Sequence, residues 1–434
     1  WGLPVLYSIV SWPFAQIGLG GIVFALTPLM AIAGLWGLYQ VVSHFFDQRH
    51  ASWSVILLAI HPAFWYYTAR GMFHNVLFVS LLLIGAGLLA RYRRSWAIPA
   101  ALSCTLLAVL VRPSEIWWVG ALYLFWLYKK RSSLNTKSVR SIVLLAALAC
   151  LVYYGVTMLI YGSLNPLSAY SDGAEAFESG SALRWLLPFG FHPRVIWWSV
   201  SNWYVKLLSP FTFLAVVGVV QSRSFARSRQ WLWIFAAVSA WLFIFYGSWM
   251  IFDNPSHDVT IGSAYMRYWL PSFVLSTPFM AKAIITFMDS FKARSMFAGA
   301  VMILLLAGFS CQQAVITTDG ALQTYESTKA GRAITEALHS HDGGIEDNAV
   351  ILSDHQDKYL LQDWQVMQPV KNADILVAIR DLVKGGVPVY LVTHPRHIDE
   401  WRDLKENWFA DAGIMYTYWF SVDDFYEVHA LRAL

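Results

Sequence analysis

The chain has 434 residues, 57% of them hydrophobic and 13% charged, with a formal net charge of +4 and a mean hydropathy of +0.48. Soluble domains carry roughly 25% charged residues, so this composition excludes an ordinary soluble protein and describes an integral membrane protein. The net charge is too small to point to nucleic acid, and the three cysteines show neither zinc nor disulfide spacing.

In chain order, residues 3–13 read as a short helix lying at the membrane interface. A helix needs about 20 apolar residues to cross the hydrocarbon core. Ten runs qualify or nearly do: 17–42, 53–69, 75–90, 95–111, 115–128, 141–161, 204–220, 231–250, 267–289 and 296–314. The runs 75–90 and 115–128 are short. His61, directly before Pro62, reads as a kink with a locally bonded imidazole. The predicted spans hold no Asp or Glu at mid-depth, which argues against an ion-coupled transporter or flippase. The 22 tryptophans and 21 tyrosines suit the boundary between hydrocarbon and water.

Four basic loops, at 91–94, 129–140, 221–230 and 291–295, fall on one side if ten spans alternate. The positive-inside rule makes that side the cytoplasm. The other loops then face outward, as does the polar tail. In that tail "AVILS" (349–353) and "VPVYLVT" (387–393) read as buried strands, with amphipathic helices at "NADILVAIRDLVKGG" and "HIDEWRDLKENWFADAG". The expectation is a polytopic α-helical domain over 1–317 and a small extracytoplasmic α/β domain over 318–434.

The cations at the outer helix ends carry the chemistry. Arg70 closes one span, Arg112 lies between two, and Arg267 opens the ninth in "GSAYMRYWLP". Positive charge is normally depleted on this side, and a guanidinium fork is matched to phosphate oxygens. A phosphate at the outer interface with an apolar chain below it describes a polyprenyl-phosphate lipid. Substrate-binding candidates around these arginines are His74, Asn75, Glu115, Tyr265 and Lys206; Glu115, three residues after Arg112, reads equally as its ion-pair partner. Asp253, His257 and Asp258 offer a weak divalent-metal pattern that loop turns explain equally well, so no metal site is assigned.

The order of four short motifs resembles the GT-C membrane glycosyltransferases, in the group of protein O-mannosyltransferases and lipid A aminoarabinose transferases. They are "WGLPVLYSI", "HPAFWYYTARGMFHN", "VRPSE" and "YMRYWLPSF". In the second, an arginine is followed five positions later by an acidic or amide residue, here Arg70 and Asn75. The resemblance implies transfer of a sugar from a polyprenyl-phosphate donor to an extracytoplasmic lipid, glycan or protein, at the cell membrane. It also implies an Asp or Glu general base in a first outer loop just before the glycine-leucine-proline stretch. The chain opens inside that stretch and without an initiator methionine, so it reads as lacking its first helix and loop, and as inactive alone. The runner-up functions are a polyprenyl-lipid-linked glycan ligase and a polytopic transporter or flippase. The ligase would carry its chemistry in a large outer loop between late spans, whereas the longest outer loop here, 162–203, comes earlier and shows no obvious arginine-histidine pair.

Overall fold

The computed structural model describes residues 2–70, 73–92, 94, 96–130, 136–162, 187–222, 226–250, 258–291, 295–340, 344–346, 348–353, 357–360, 363–367, 373–393, 408–422 and 426–433. The chain divides into two units, Trp1–Ala321 and Leu322–Leu434.

The first unit is helical: α1 (Gly2–Ala15), α2 (Val23–Phe45), α3 (Gln48–Ala59), α4 (Pro62–Ala69), α5 (His74–Arg91), α6 (Ala97–Val111), α7 (Ile116–Lys130) and α8 (Thr136–Tyr161). After the described residues resume come α9 (Pro193–Ser199), α10 (Ser209–Ser222), α11 (Ala226–Gly247), α12 (Ala264–Tyr268), α13 (Leu270–Ser290) and α14 (Ser295–Cys311). By length and apolarity six described helices can cross a membrane, or eight if each bent pair counts as one, against the ten expected.

The difference has local causes. The expected span 53–69 is two helices, because His61 is extended (φ −63°, ψ 124°) ahead of Pro62, which opens α4. A proline disfavours helical backbone at the residue before it yet is well placed at a first helical position. His61 is fully buried between the rings of Phe211 and Phe273, and neither ring nitrogen has a partner among the described residues, so the local bond expected for it is absent. The axes of α6 and α7 turn by 119° at Arg112–Glu115, and those of the helical stretch Pro193–Lys206 and α10 by 96°. Helices of 15 residues, such as α6 and α7, are about 22 Å long, short of the roughly 30 Å of hydrocarbon.

Without a strong hydrophobic drive inside lipid, close helix packing depends on small residues. A Cβ on Gly218 of α10 would lie 1.8 Å from the carbonyl oxygen of Phe279 in α13. Gly37 of α2 and Gly87 of α5 likewise meet backbone to backbone. The α3–α4 pair runs antiparallel to α13. Arg49 holds Asp289 at one end through two bonds of 2.7 and 3.2 Å. At the other end the Tyr67 hydroxyl reaches the carbonyls of Ile261, Gly262 and Ser263 at 2.8–3.1 Å. The Arg49–Asp289 pair is half exposed, and solvent screening leaves it little weight in stability.

Beyond α14, Asp319 adopts a left-handed backbone (φ 65°). Its carbonyl accepts from the Tyr66 hydroxyl at 2.6 Å and its carboxylate from Thr260 Oγ1 at 2.6 Å. Asp is one of the few residues with a side chain that tolerates this conformation.

The second unit holds α15 (Ala321–Ser340), β1 (Val350–Leu352), α16 (Asp357–Leu360), β2 (Gln365–Met367), α17 (Ala373–Lys384), β3 (Val389–Thr393), β4 (Ile414–Val422) and β5 (Tyr426–Ala433). Its sheet order is β2-β1-β3-β5-β4, with β2, β1 and β3 parallel and β5 antiparallel to β3 and β4. Alternation along β1 feeds two cores: Ile351 packs with Ile334 and Leu338 of α15, whereas Val350 and Leu352 pack with Ile379 of α17. Both expected strands and the first expected helix are present; the second expected helix falls mostly outside the described residues. The β4–β5 hairpin and β2 add to the sheet foreseen from sequence.

Candidate functional site

At one end of the helical unit, three helix termini bring Arg70, Arg267 and Arg112 together through shared aromatic rings. Arg70 follows α4, and its Nη1 donates to the Tyr66 hydroxyl one turn back. Its guanidinium carbon lies 5.4 Å from the Phe73 centroid. Arg267, in α12, lies 6.0 Å from the same ring and 5.2 Å from Tyr268. Arg112 lies 5.0 Å from Tyr268 in turn, and also faces Phe78 and Tyr246. Phe73 thus serves two cations and Tyr268 two, each within cation–π range.

The three differ in environment. Arg70 is exposed, Arg267 half-buried and Arg112 buried. Arg112 Nη2 donates to the Tyr246 hydroxyl at 2.6 Å and sits 2.8 Å from Glu115 Oε1. Glu115 is 1% exposed and takes further bonds from the Tyr246 hydroxyl (2.6 Å) and the Trp118 indole (2.5 Å). Its oxygens are occupied from inside the protein, so it is Arg112's partner and not a substrate contact. Among the described residues the cluster therefore sets three cations against one carboxylate, a surplus that a bound anion would offset.

Asn75, at the start of α5, is fully buried, and its Nδ2 donates to the Arg267 carbonyl at 3.0 Å. That bond fixes the amide, leaving Asn75 Oδ1 as a buried acceptor without a partner among the described residues; Arg112 Nη1 and Arg267 Nε are buried donors in the same condition. Buried polar atoms are rarely left so, and two donors with one acceptor match phosphate oxygens and a sugar or acceptor hydroxyl. His74, half-buried beside Asn75, lies within electrostatic reach of Arg112 and Arg267.

Two sequence candidates sit apart from this set. Tyr265 is fully buried between Trp203 and Trp269, with its hydroxyl on the Trp249 carbonyl; it packs the core and does not line a site. Exposed Lys206 donates to Asn202 at 3.0 Å on its own π-helical turn, Val200–Lys206. Of the metal pattern, Asp253 and His257 lie outside the described residues and Asp258 is exposed. Among the described residues no group of three or more His, Cys, Asp or Glu could hold a metal. Sequence reading missed Phe73, Tyr246 and Tyr66. Phe73 had a local signal, an aromatic three residues after Arg70, whereas Tyr246 is 131 residues from Glu115.

Below the arginines an apolar cavity of about 290 Å³ opens between α2, α5, α7, α11 and α13. Val79, Trp118 and Pro271 line it near the arginine end, and Leu89, Lys129 and Gln230 line it towards the other.

No protein-family model and no curated protein matches the sequence. The structure is similar to ArnT from Cupriavidus metallidurans bound to undecaprenyl phosphate, with a TM-score of 0.56 and 12% identity over 98% of this chain and 86% of that one. The apo state of that protein gives the same TM-score, with 11% identity over 99% and 87%. The chain has the fold of ArnT. At this identity the likeness is one of fold: a multi-pass helical unit, as the motif order implied. The Archaeoglobus fulgidus oligosaccharyltransferase, solved with zinc and sulfate, is more distant, at a TM-score of 0.49 and 12% identity over 94% and 60%.

Proposed function

We propose that the protein is a membrane glycosyltransferase that moves a sugar from a polyprenyl-phosphate donor to an extracytoplasmic acceptor. The observation that carries this is the ring-linked arginine cluster, three cations to one carboxylate, above an apolar cavity. Headgroup and tail of a polyprenyl phosphate need those two environments in that order. The bound undecaprenyl phosphate of ArnT, a protein of the same fold, supports the choice of lipid.

In this reading the acceptor attacks the anomeric carbon from the face opposite the phosphate, which inverts that centre. The carbon–oxygen bond to the phosphate breaks, and its electron pair stays with the leaving oxygen. Arg267 and Arg70 hold the phosphate, and pre-oriented N–H groups meet the charge as it grows. Asn75 Oδ1 accepts a hydroxyl hydrogen from sugar or acceptor. Glu115 cannot take the acceptor's proton without surrendering its bonds from Tyr246 and Trp118 and its pairing with Arg112, so the base is a different carboxylate. The arginines occupy the outer face, with the basic loops inside, and the Leu322–Leu434 unit orients the acceptor from outside.

The test uses protein made from its complete reading frame, in detergent and in proteoliposomes. Undecaprenyl phosphate should bind, and a polyprenyl-phosphate sugar should be consumed when acceptor is present. Absence of binding and turnover, with lipid crossing the bilayer instead, would replace this reading with the flippase.

A further inference from the structure

Tyr246, at the end of α11, makes a buried junction whose polarity can be assigned bond by bond. A guanidinium has only donors and an ionised carboxylate only acceptors. The Tyr246 hydroxyl must therefore accept from Arg112 Nη2 and donate its one proton to Glu115 Oε1, both at 2.6 Å. Ser114 Oγ is a third neighbour at 3.2 Å. Nη2 gives a hydrogen to Tyr246 and is ion-paired with Glu115 Oε1 at 2.8 Å. The hydrogens of Nη1 remain, buried and unpartnered among the described residues.

Arginine and carboxylate ordinarily meet fork to fork, each end of the guanidinium taking one oxygen. Here that pairing is prevented. Tyr246 shares Oε1 and the Trp118 indole holds Oε2, so Glu115 grips Arg112 by one nitrogen only. The Tyr246 ring, stacked on Tyr268 at 4.4 Å, is held against the ring that Arg112 and Arg267 share.

We infer that Tyr246 is a positioning residue: by keeping Glu115 from taking both ends of Arg112, it leaves Nη1 aimed at the substrate phosphate. This rests on the transferase reading above. Because Glu115 already neutralises Arg112, the contribution of Arg112 is a directed N–H and not net charge. It therefore acts on the charge that grows during bond breaking more than on ground-state binding.

Tyr246→Phe removes the hydroxyl and keeps the ring. In the full-length protein it should lower kcat about tenfold, the size of one well-placed hydrogen bond. KM for a polyprenyl-phosphate sugar, and binding of undecaprenyl phosphate alone, should stay within about threefold. In an Arg112→Lys background, which has no Nη1, the second substitution should cost nothing further; with Arg267→Lys the costs should add. If Tyr246→Phe fails to insert, Trp118→Phe, which frees Glu115 Oε2 to turn onto Nη1, is put through the same cycle with the same expected pattern. Costs that add in the Arg112→Lys background, or a change in KM alone, overturn the inference while leaving the transferase standing. A wild-type protein that neither binds undecaprenyl phosphate nor transfers sugar removes both.

Discussion

Arg267→Lys separates a phosphate ligand from a membrane anchor. Both side chains carry one positive charge, and lysine can keep the aromatic contacts that Arg267 makes with Tyr268 (5.2 Å) and Phe73 (6.0 Å). What lysine cannot keep is Nε, a buried donor fixed beside the backbone that Asn75 holds, and unpartnered among the described residues. Lysine offers a point charge on a flexible stem where arginine offers a planar fork. One charge-assisted hydrogen bond is worth about 1.5–3 kcal/mol. At 1.36 kcal/mol per decade, its loss should lower kcat/KM about 10- to 150-fold. Exposed Arg70 has Nη1 engaged by Tyr66, so Arg70→Lys should cost less. The assay is transfer from a polyprenyl-phosphate sugar by full-length protein, after insertion and thermal stability have been matched to wild type. A change below about threefold would mean a cation of any shape suffices, and the phosphate-clamp argument would fail.

Two further tests address packing and topology. Gly218→Ala puts a Cβ 1.8 Å from the Phe279 carbonyl oxygen, so α10 and α13 must separate; the expected cost is about 1–3 kcal/mol or more, read as a lower Tm in detergent. Gly155→Ala, where a Cβ meets nothing within 4 Å, should hold or raise Tm; equal losses at both sites would contradict the close-approach account. A cysteine at exposed Ser340, in a chain whose Cys104, Cys150 and Cys311 are replaced, should react with an impermeant thiol reagent in cells with a breached outer membrane. Reaction only after lysis would reverse the proposed orientation.

Apolar run length located α2 and α5 to α8, and gave α3 and α4 as one run, because burial in lipid leaves a one-dimensional trace along the chain. Where a helix stops and the chain turns back was less legible: Pro62 and Pro113 marked breaks, but a proline does not set the size of the turn, 119° after α6. The hairpin strand β4 was missed because its burial does not alternate cleanly and its register shifts between Tyr418 and Phe420. The arginines stood out because each sits at the boundary of an apolar run. Their differences did not, since Tyr246 reaches Glu115 across 131 residues and Asn75 reaches Arg267 across 192. Tyr265 and Tyr268 look equivalent on either side of Arg267, yet helix phase sends the first into the core and sets the second against the cations.

The left-handed Asp319 bears on how proteins of this fold can be recombined. Its carbonyl and carboxylate belong to Tyr66 and Thr260, so the residue is part of the membrane unit's hydrogen bonding although it stands only two positions before Ala321, where that unit ends. A chimera that exchanges the C-terminal unit should therefore be spliced after Gly320. A junction placed at the end of α14 would remove the Asp319 carbonyl to which Tyr66 donates and loosen the hydroxyl on which Arg70 rests. The transplanted unit would fold on its own terms, and the damage would surface in the recipient's arginines.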